Sequence, residues 1–440
     1  MKNKQRDNAS ANLRNDCTAT TLFFVVLFLA GCASGRPLMP APNLYIGDGA
    51  PELFTELPPE QQNNRVDLLY VTDRVPEIDD DGALTYGYGR SRSAAFGSAI
   101  VAIEPELAWD ELQRVSLEQD RSTRLSLNLA SLEERGRFPD TPRPLVLING
   151  EIQPDPATLE KSRITEQSFH AEVRRRLALA PKPEVVLFVH GYNNDFVAAA
   201  QTLAELWHFL GREQVPILYT WPAGRGGASG YIYDRESGEF TVHHLKNLIG
   251  SLSGIPEIKR FHMIAHSRGT DVLSSAIREL ALVDRAAGEA TSDKLRDSHV
   301  VLAAPDLDWD VVSQRIIAEQ LGQESKNMTI YTSEEDKAIG LAESLFKSAA
   351  RLGRLGVEDL QADGYAAMEK IEGVSFIDLQ ESTSSTSHSY FHSNPAASSD
   401  LILLVRYGLA PGAENGRPLE SLAPGFWLIK PEYPFSSDDE

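Results

Sequence analysis

From residue 164 onward, short runs that are almost wholly apolar alternate with amphipathic stretches, and no other feature narrows the fold as much. EVVLFV (184–189), VPILYTW (215–221), FHMIA (261–265), HVVLAA (299–304), MTIYT (328–332) and VSFIDLQ (374–380) are too short for helices. They also lack the alternating polar positions of a strand with one wet face, so both of their faces must be covered. Between them lie helical patterns: Phe169, Val173 and Leu177; Phe196, Leu203, Leu206 and Leu210, starting near Asp195; then HHLKNLIGSL, a stretch from about 269, DVVSQRIIAEQL, AIGLAESLF and SDLILLVRYGL. Buried strands alternating with helices predict a doubly wound, mostly parallel α/β sheet, with ligands at the carboxyl ends of the strands. The stretch 222–237, with GRGGASG inside it, reads as an irregular loop and a movable wall over the expected pocket; Trp221, Tyr231, Tyr233 and Asp234 belong to that wall. It lacks the Lys-Ser/Thr of a phosphate loop.

Ahead of this core, VDLLYVTDR and GSAIVAIEP read as strands about the acidic turn EIDDDGAL, so residues 65–150 form a small β-rich N-terminal section. Within it, LASLEERGRF is assigned to helix and PLVLING to a short strand. The catalytic core is expected over 164–410, the whole domain over 65–410, and 411–440 is a C-terminal extension with VSFIDLQ as the last strand of the sheet.

The first 31 residues stand apart. Lys2, Lys4, Arg6 and Arg14 precede LFFVVLFLA (22–30), an apolar run far short of the roughly 20 residues that cross a bilayer, so it reads as a signal peptide. LAGC (29–32) resembles the lipobox of bacterial lipoproteins, which implies lipidation of Cys32, a membrane anchor, and the outer rather than the inner membrane. The proline-rich stretch 32–64 is then a tether, with NLYIGDG (43–49) a candidate to lie on the body as an extended segment. Cys17 leaves with the leader, so the two cysteines of the chain supply no disulfide. A formal charge of −21 argues against nucleic acid or anionic headgroups as direct partners. There is no H-E-x-x-H and no cysteine pair, and neither a metal nor a cofactor is expected.

Ala265-His266-Ser267-Arg268-Gly269 follows a buried strand and opens an amphipathic helix (Val272, Leu273, Ala276, Ile277, Leu280), the setting of a nucleophile elbow. Small residues two positions either side of Ser267 are needed because so sharp a turn presses its neighbours together. A nucleophilic serine needs donors for the developing oxyanion. The backbone N–H of Arg268, at the helix start, is one candidate. The N–H of Tyr192 in FVHGYNND (188–195), after an earlier strand, is the other, with His190-Gly191 allowing the tight turn.

VVLFVHGYNND, YTWPAGRGG, YIYDRES, FHMIAHSRGTDVL, VLAAPDLDWDV, IYTSEEDKAI and HSYF, in this order, resemble the α/β-hydrolase superfamily, esterase/lipase branch, and within it a bacterial group called domain of unknown function nine hundred. LLYVTDR resembles the start of that group, so the likeness covers about 65–408. It implies the α/β-hydrolase fold and a Ser-His-Asp triad cleaving a carboxylic ester, on a small-molecule or lipid substrate. His388, matching HSYF, is implied as the general base, with His392 as a fallback. The acid is Asp336 in TSEEDKA or, as an alternative, Asp306 in AAPDLD. His266 is expected to pack under the elbow. The same residues would serve an acyltransferase, and a non-catalytic binding scaffold would keep the fold alone.

Overall fold

A computed structural model describes residues 35–435, apart from 48, 292–294, 296, 326, 341–350, 357–372 and 381–387. The leader, the lipobox with Cys32 and most of AIGLAESLF lie outside the described residues. Among those described, one sheet has twelve strands. They are β1 (Arg36–Pro37), β2 (Arg65–Ile78), β3 (Leu84–Glu104), β4 (Ser126–Arg137), then β7 (Glu184–Val189), β8 (Val215–Thr220), β9 (Arg260–His266), β10 (His299–Ala303), β11 (Asn327–Thr332), β12 (Val374–Leu379), β13 (Glu420–Ala423) and β14 (Phe426–Ile429). A separate hairpin holds β5 (Leu145–Ile148) and β6 (Glu151–Pro154).

The order across the sheet is β1-β4-β3-β2-β8-β7-β9-β10-β11-β12-β14-β13. From β2 to β14 every neighbouring pair is parallel; β1, β4 and β3 at one edge and β13 at the other run antiparallel to their neighbours. The parallel centre explains why the sequence runs are apolar throughout. In β7, Val186 and Phe188 enter one core while Val185, Leu187 and Val189 enter the other. Successive side chains of a strand point to opposite faces, and here both are dry.

Helices α1 (Trp109–Ser116), α2 (Pro156–Leu177), α3 (Phe196–Phe209), α4 (Gly227–Ser253), α5 (Gly269–Ala287) and α6 (Pro395–Val405) cover the two faces. The hydrophobic residues of α3 and α6 pack in the first core, and those of α2, α4 and α5 in the second. Asp195 starts α3 as expected, its carboxylate accepting from Ala198 N at 2.7 Å, an N-cap that satisfies an otherwise unpaired helix donor.

Four expectations change. LASLEERGRF is not helix: it is β4, held by β3 along its length, so strand pairing outweighs its helix-forming residues. The stretch 222–237 is loop only to Gly226, after which α4 begins and Tyr231, Tyr233 and Asp234 lie on its first turns. The proline-rich stretch is not a free tether from Gly35 onward, because Leu38, Met39, Leu44, Tyr45, Leu53 and Phe54 are buried in the first core. The residues after 410 are not appended either: β14 pairs with β12, so VSFIDLQ is not the last strand.

Candidate active site

Ser267 sits between the end of β9 and the start of α5 with φ at +52°, in the left-handed region that non-glycine residues rarely occupy. Bonds on both sides hold it there. Its N–H donates to Ala303 O on β10 at 2.9 Å, and its carbonyl accepts from Thr270 N (3.1 Å), Thr270 Oγ1 (2.6 Å) and Asp306 N (3.3 Å). The local crowding explains the glycines. A Cβ on Gly269 would lie 2.3 Å from His190 O, and one on Gly191 would lie 2.6 Å from the Ser267 Cβ. The loop after β7 and the elbow after β9 can therefore touch only without those side chains.

His388 precedes the short helix Tyr390–Ser393, and its Nδ1 lies 2.7 Å from Asp336 Oδ2. Asp336 follows β11 and is buried; its other oxygen accepts from the N–H groups of Ala338 and Ile339, both at 3.0 Å. A carboxylate so held keeps a proton on Nδ1 and leaves Nε2 as the acceptor. His266 is buried beneath, its ring 4.8 Å from those of His388 and Phe391, and its Nε2–H donates to His388 O at 2.9 Å. Burial, with the neighbouring His388, holds the pKa of His266 well below its ordinary value. It is a neutral prop for the backbone of His388.

Asp306, the alternative acid, is engaged elsewhere. One oxygen pairs with Arg351 and the other accepts from the Tyr231 hydroxyl at 2.6 Å. Burial and this carboxylate push the Tyr231 phenol up to about 12. His392, the fallback base, lies 2.9 Å from Glu205, a buried carboxylate that also pairs with Arg36. Among the described residues, neither the Tyr192 nor the Arg268 backbone N–H donates to another protein group. Both are free to meet an oxyanion. The Arg268 guanidinium turns away to Asp271 and to Asp306 O (3.2 Å).

Of the side chains that shape the Tyr192 loop, Arg74 is the one sequence reasoning missed, whereas His190, Trp221 and Asp234 take roles other than those expected of them. His190 is buried, stacked 5.2 Å from Trp221 with ring planes 2° apart. Its Nδ1–H donates to Gly191 O at 2.9 Å, and its Nε2 accepts from Trp221 N at 3.0 Å. Burial first, and Arg74 second, bring its pKa down to about 3, so it is neutral. Trp221 is fully buried and returns its indole N–H to His190 O at 2.7 Å, so it braces the Tyr192 loop rather than forming an exposed wall. Asp234 on α4 accepts from Asn193 N (3.0 Å) and Gly224 N (3.3 Å). Arg74, wholly buried within β2 where its apolar LLYVT run ends, donates to Asn194 O (2.7 Å), Ala223 O (2.8 Å) and Thr220 Oγ1 (2.8 Å), and its Nη2 lies 3.3 Å from His190 Nε2. A charged pair, Asp73-Arg74, closing an apolar strand was the signal available in the sequence.

A strained serine between a buried strand and a helix N-terminus, and a carboxylate-held imidazole packed on the ring of the adjacent His266, are parts that acyl transfer through a serine uses. No curated protein matches the chain. The family model described as alpha/beta hydrolase of unknown function, DUF900, matches residues 165–406, more than half of the 440. The chain belongs to that family of alpha/beta hydrolases.

Proposed function

We propose that this protein is a serine hydrolase that cleaves a carboxylic ester. The observation that carries the reading is Ser267 at φ +52° on the elbow, its base side supplied by His388 with Nδ1 on Asp336. In this mechanism His388 Nε2 takes the Ser267 hydroxyl proton as Oγ attacks the ester carbonyl carbon. The N–H groups of Tyr192 and Arg268 receive the developing oxyanion. His388 then passes the proton to the departing alcohol, leaving an acyl-enzyme. Water, deprotonated by His388, attacks the acyl carbon; the carboxylic acid leaves and Ser267 regains its proton. Asp336 holds the imidazole and stabilises its cationic form. Lipidation at Cys32 and an outer-membrane location complete the proposal; LAGC after the apolar run supports them.

The test is labelling of the purified protein with a fluorophosphonate probe, which reports an activated serine independently of substrate. Wild type is expected to label, and Ser267→Ala and His388→Ala to lose labelling while keeping their circular dichroism. A folded wild type that does not label, or a Ser267→Ala variant that does, would sink the reading.

A further inference from the structure

Against the second core, α2, α4, α5 and the loop after β4 border a solvent-open cavity of about 340 Å³, and none of the residues of the elbow, the proposed triad or the loop after β7 lines it. Its floor is apolar: Val71, Ala94, Phe169, Leu248 and Leu280 are all buried. Its rim is polar and rich in donors. Most of those groups are already engaged. His244 lies between Asp73 Oδ2 (2.9 Å) and Thr141 Oγ1 (3.2 Å). The Ser251 hydroxyl lies between Glu166 (3.1 Å) and His170 Nε2 (2.7 Å), and Lys246 pairs with Glu279 at 3.1 Å.

Arg143 is different. Among the described residues its guanidinium makes one hydrogen bond, to Ser162 Oγ at 3.3 Å, and has no carboxylate partner. Four of its five N–H donors remain for a ligand. In a chain of charge −21, an uncommitted guanidinium at the mouth of an apolar cavity selects for an anion rather than a cation. The fork of that guanidinium matches a carboxylate. At about 30 Å³ for each methylene-sized group, the volume holds roughly eleven of them.

We propose that this cavity is a binding site for an amphiphilic carboxylate with a chain of about eight to twelve carbons, the chain against Ala94, Phe169 and Leu280 and the carboxylate on Arg143. The site is independent of Ser267 and keeps its ligand whether or not the serine reacts.

Sodium decanoate, below its micellar concentration, is titrated calorimetrically into the purified protein, with butyrate and decanol as comparisons. The expected result is saturable one-to-one binding of decanoate, at least tenfold tighter than butyrate or decanol. Arg143→Gln weakens it roughly tenfold or more, the loss of a charge-assisted bond. Ala94→Leu, which fills the floor, abolishes it, and Ser267→Ala leaves it unchanged. Arg143 is exposed, so its variant folds even where Ala94→Leu fails. No binding by wild type, decanol binding as tightly as decanoate, or an Arg143→Gln variant that binds like wild type would each overturn the proposal.

Discussion

In the proposed triad two carboxylates compete for the role of the acid, and the difference between them lies in their partners. Asp336 points one oxygen at His388 and rests the other on two backbone N–H groups. Asp306 is spent on Arg351 and Tyr231. Asp336→Asn is therefore expected to leave the fold intact and to slow fluorophosphonate labelling by up to about 10⁴, since an amide favours the wrong imidazole tautomer. Asp306→Asn is expected to keep most of the labelling rate and to lower thermal stability, because removing one partner of a buried ion pair costs about 3–5 kcal/mol. Parallel labelling and melting of the two variants separates the roles; the reverse pattern would return the assignment to Asp306. The sequence left these two open because both follow strands of the parallel sheet, and side-chain partners are not written in a strand pattern.

At the scale of elements, the β2 strand lies outside the residues matched by the family model yet reaches the loop after β7 through Arg74. Burial lowers the pKa of that guanidinium only to about 10, so it stays charged at neutral pH while bridging β2, the end of β8 and the loop after β7. Lysine cannot span those acceptors. Arg74→Lys is expected to fold and to lose about 10²-fold in labelling rate, the cost of about 1 Å of misplacement; an unchanged rate would make Arg74 purely structural. The residues after 410 are tied in similarly. Arg417 meets Asp400 of α6 at 2.6 Å with both side chains fully buried, and Tyr331 and Tyr433 donate to the same carboxylate, each at 2.7 Å. Arg417→Met strands that carboxylate and is expected to cost about 3–5 kcal/mol in urea unfolding. A loss under about 1 kcal/mol would show that the segment is not part of the core.

At the scale of the whole molecule, and among the described residues, His190, His208 and His266 are buried histidines held neutral. Burial lowers His190 to about 3 and holds His208 and His266 well below 6.5. In the unfolded chain all three bind protons near 6.5, so below that pH the unfolded state holds more protons than the folded one. Stability is then complete above about 6.5 and falls on acidification, by about 1.4 kcal/mol per pH unit for each histidine that protonates only on unfolding. For His190 the loss continues to about pH 3. Urea unfolding at pH 7.5, 6.5 and 5.5 checks this, and His208→Gln, away from the elbow, should flatten the slope by about one proton. Equal stability at all three pH values would show that the imidazoles are accessible.

By itself the sequence determined the parallel sheet, the helices on both faces, and the elbow at Ser267, because these depend on local periodicity and on small residues at fixed spacing. The pairing of His388 with Asp336 rather than Asp306 was decided only by tertiary structure. So were the conversion of LASLEERGRF to a strand paired with β3, the burial of residues such as Leu38, Tyr45 and Phe54 and of β14 in the core, and the seating of Arg74 under the loop after β7. Each joins residues far apart in the chain. Such contacts depend on which buried polar groups find partners once the apolar faces have closed, and a one-dimensional pattern does not carry that information.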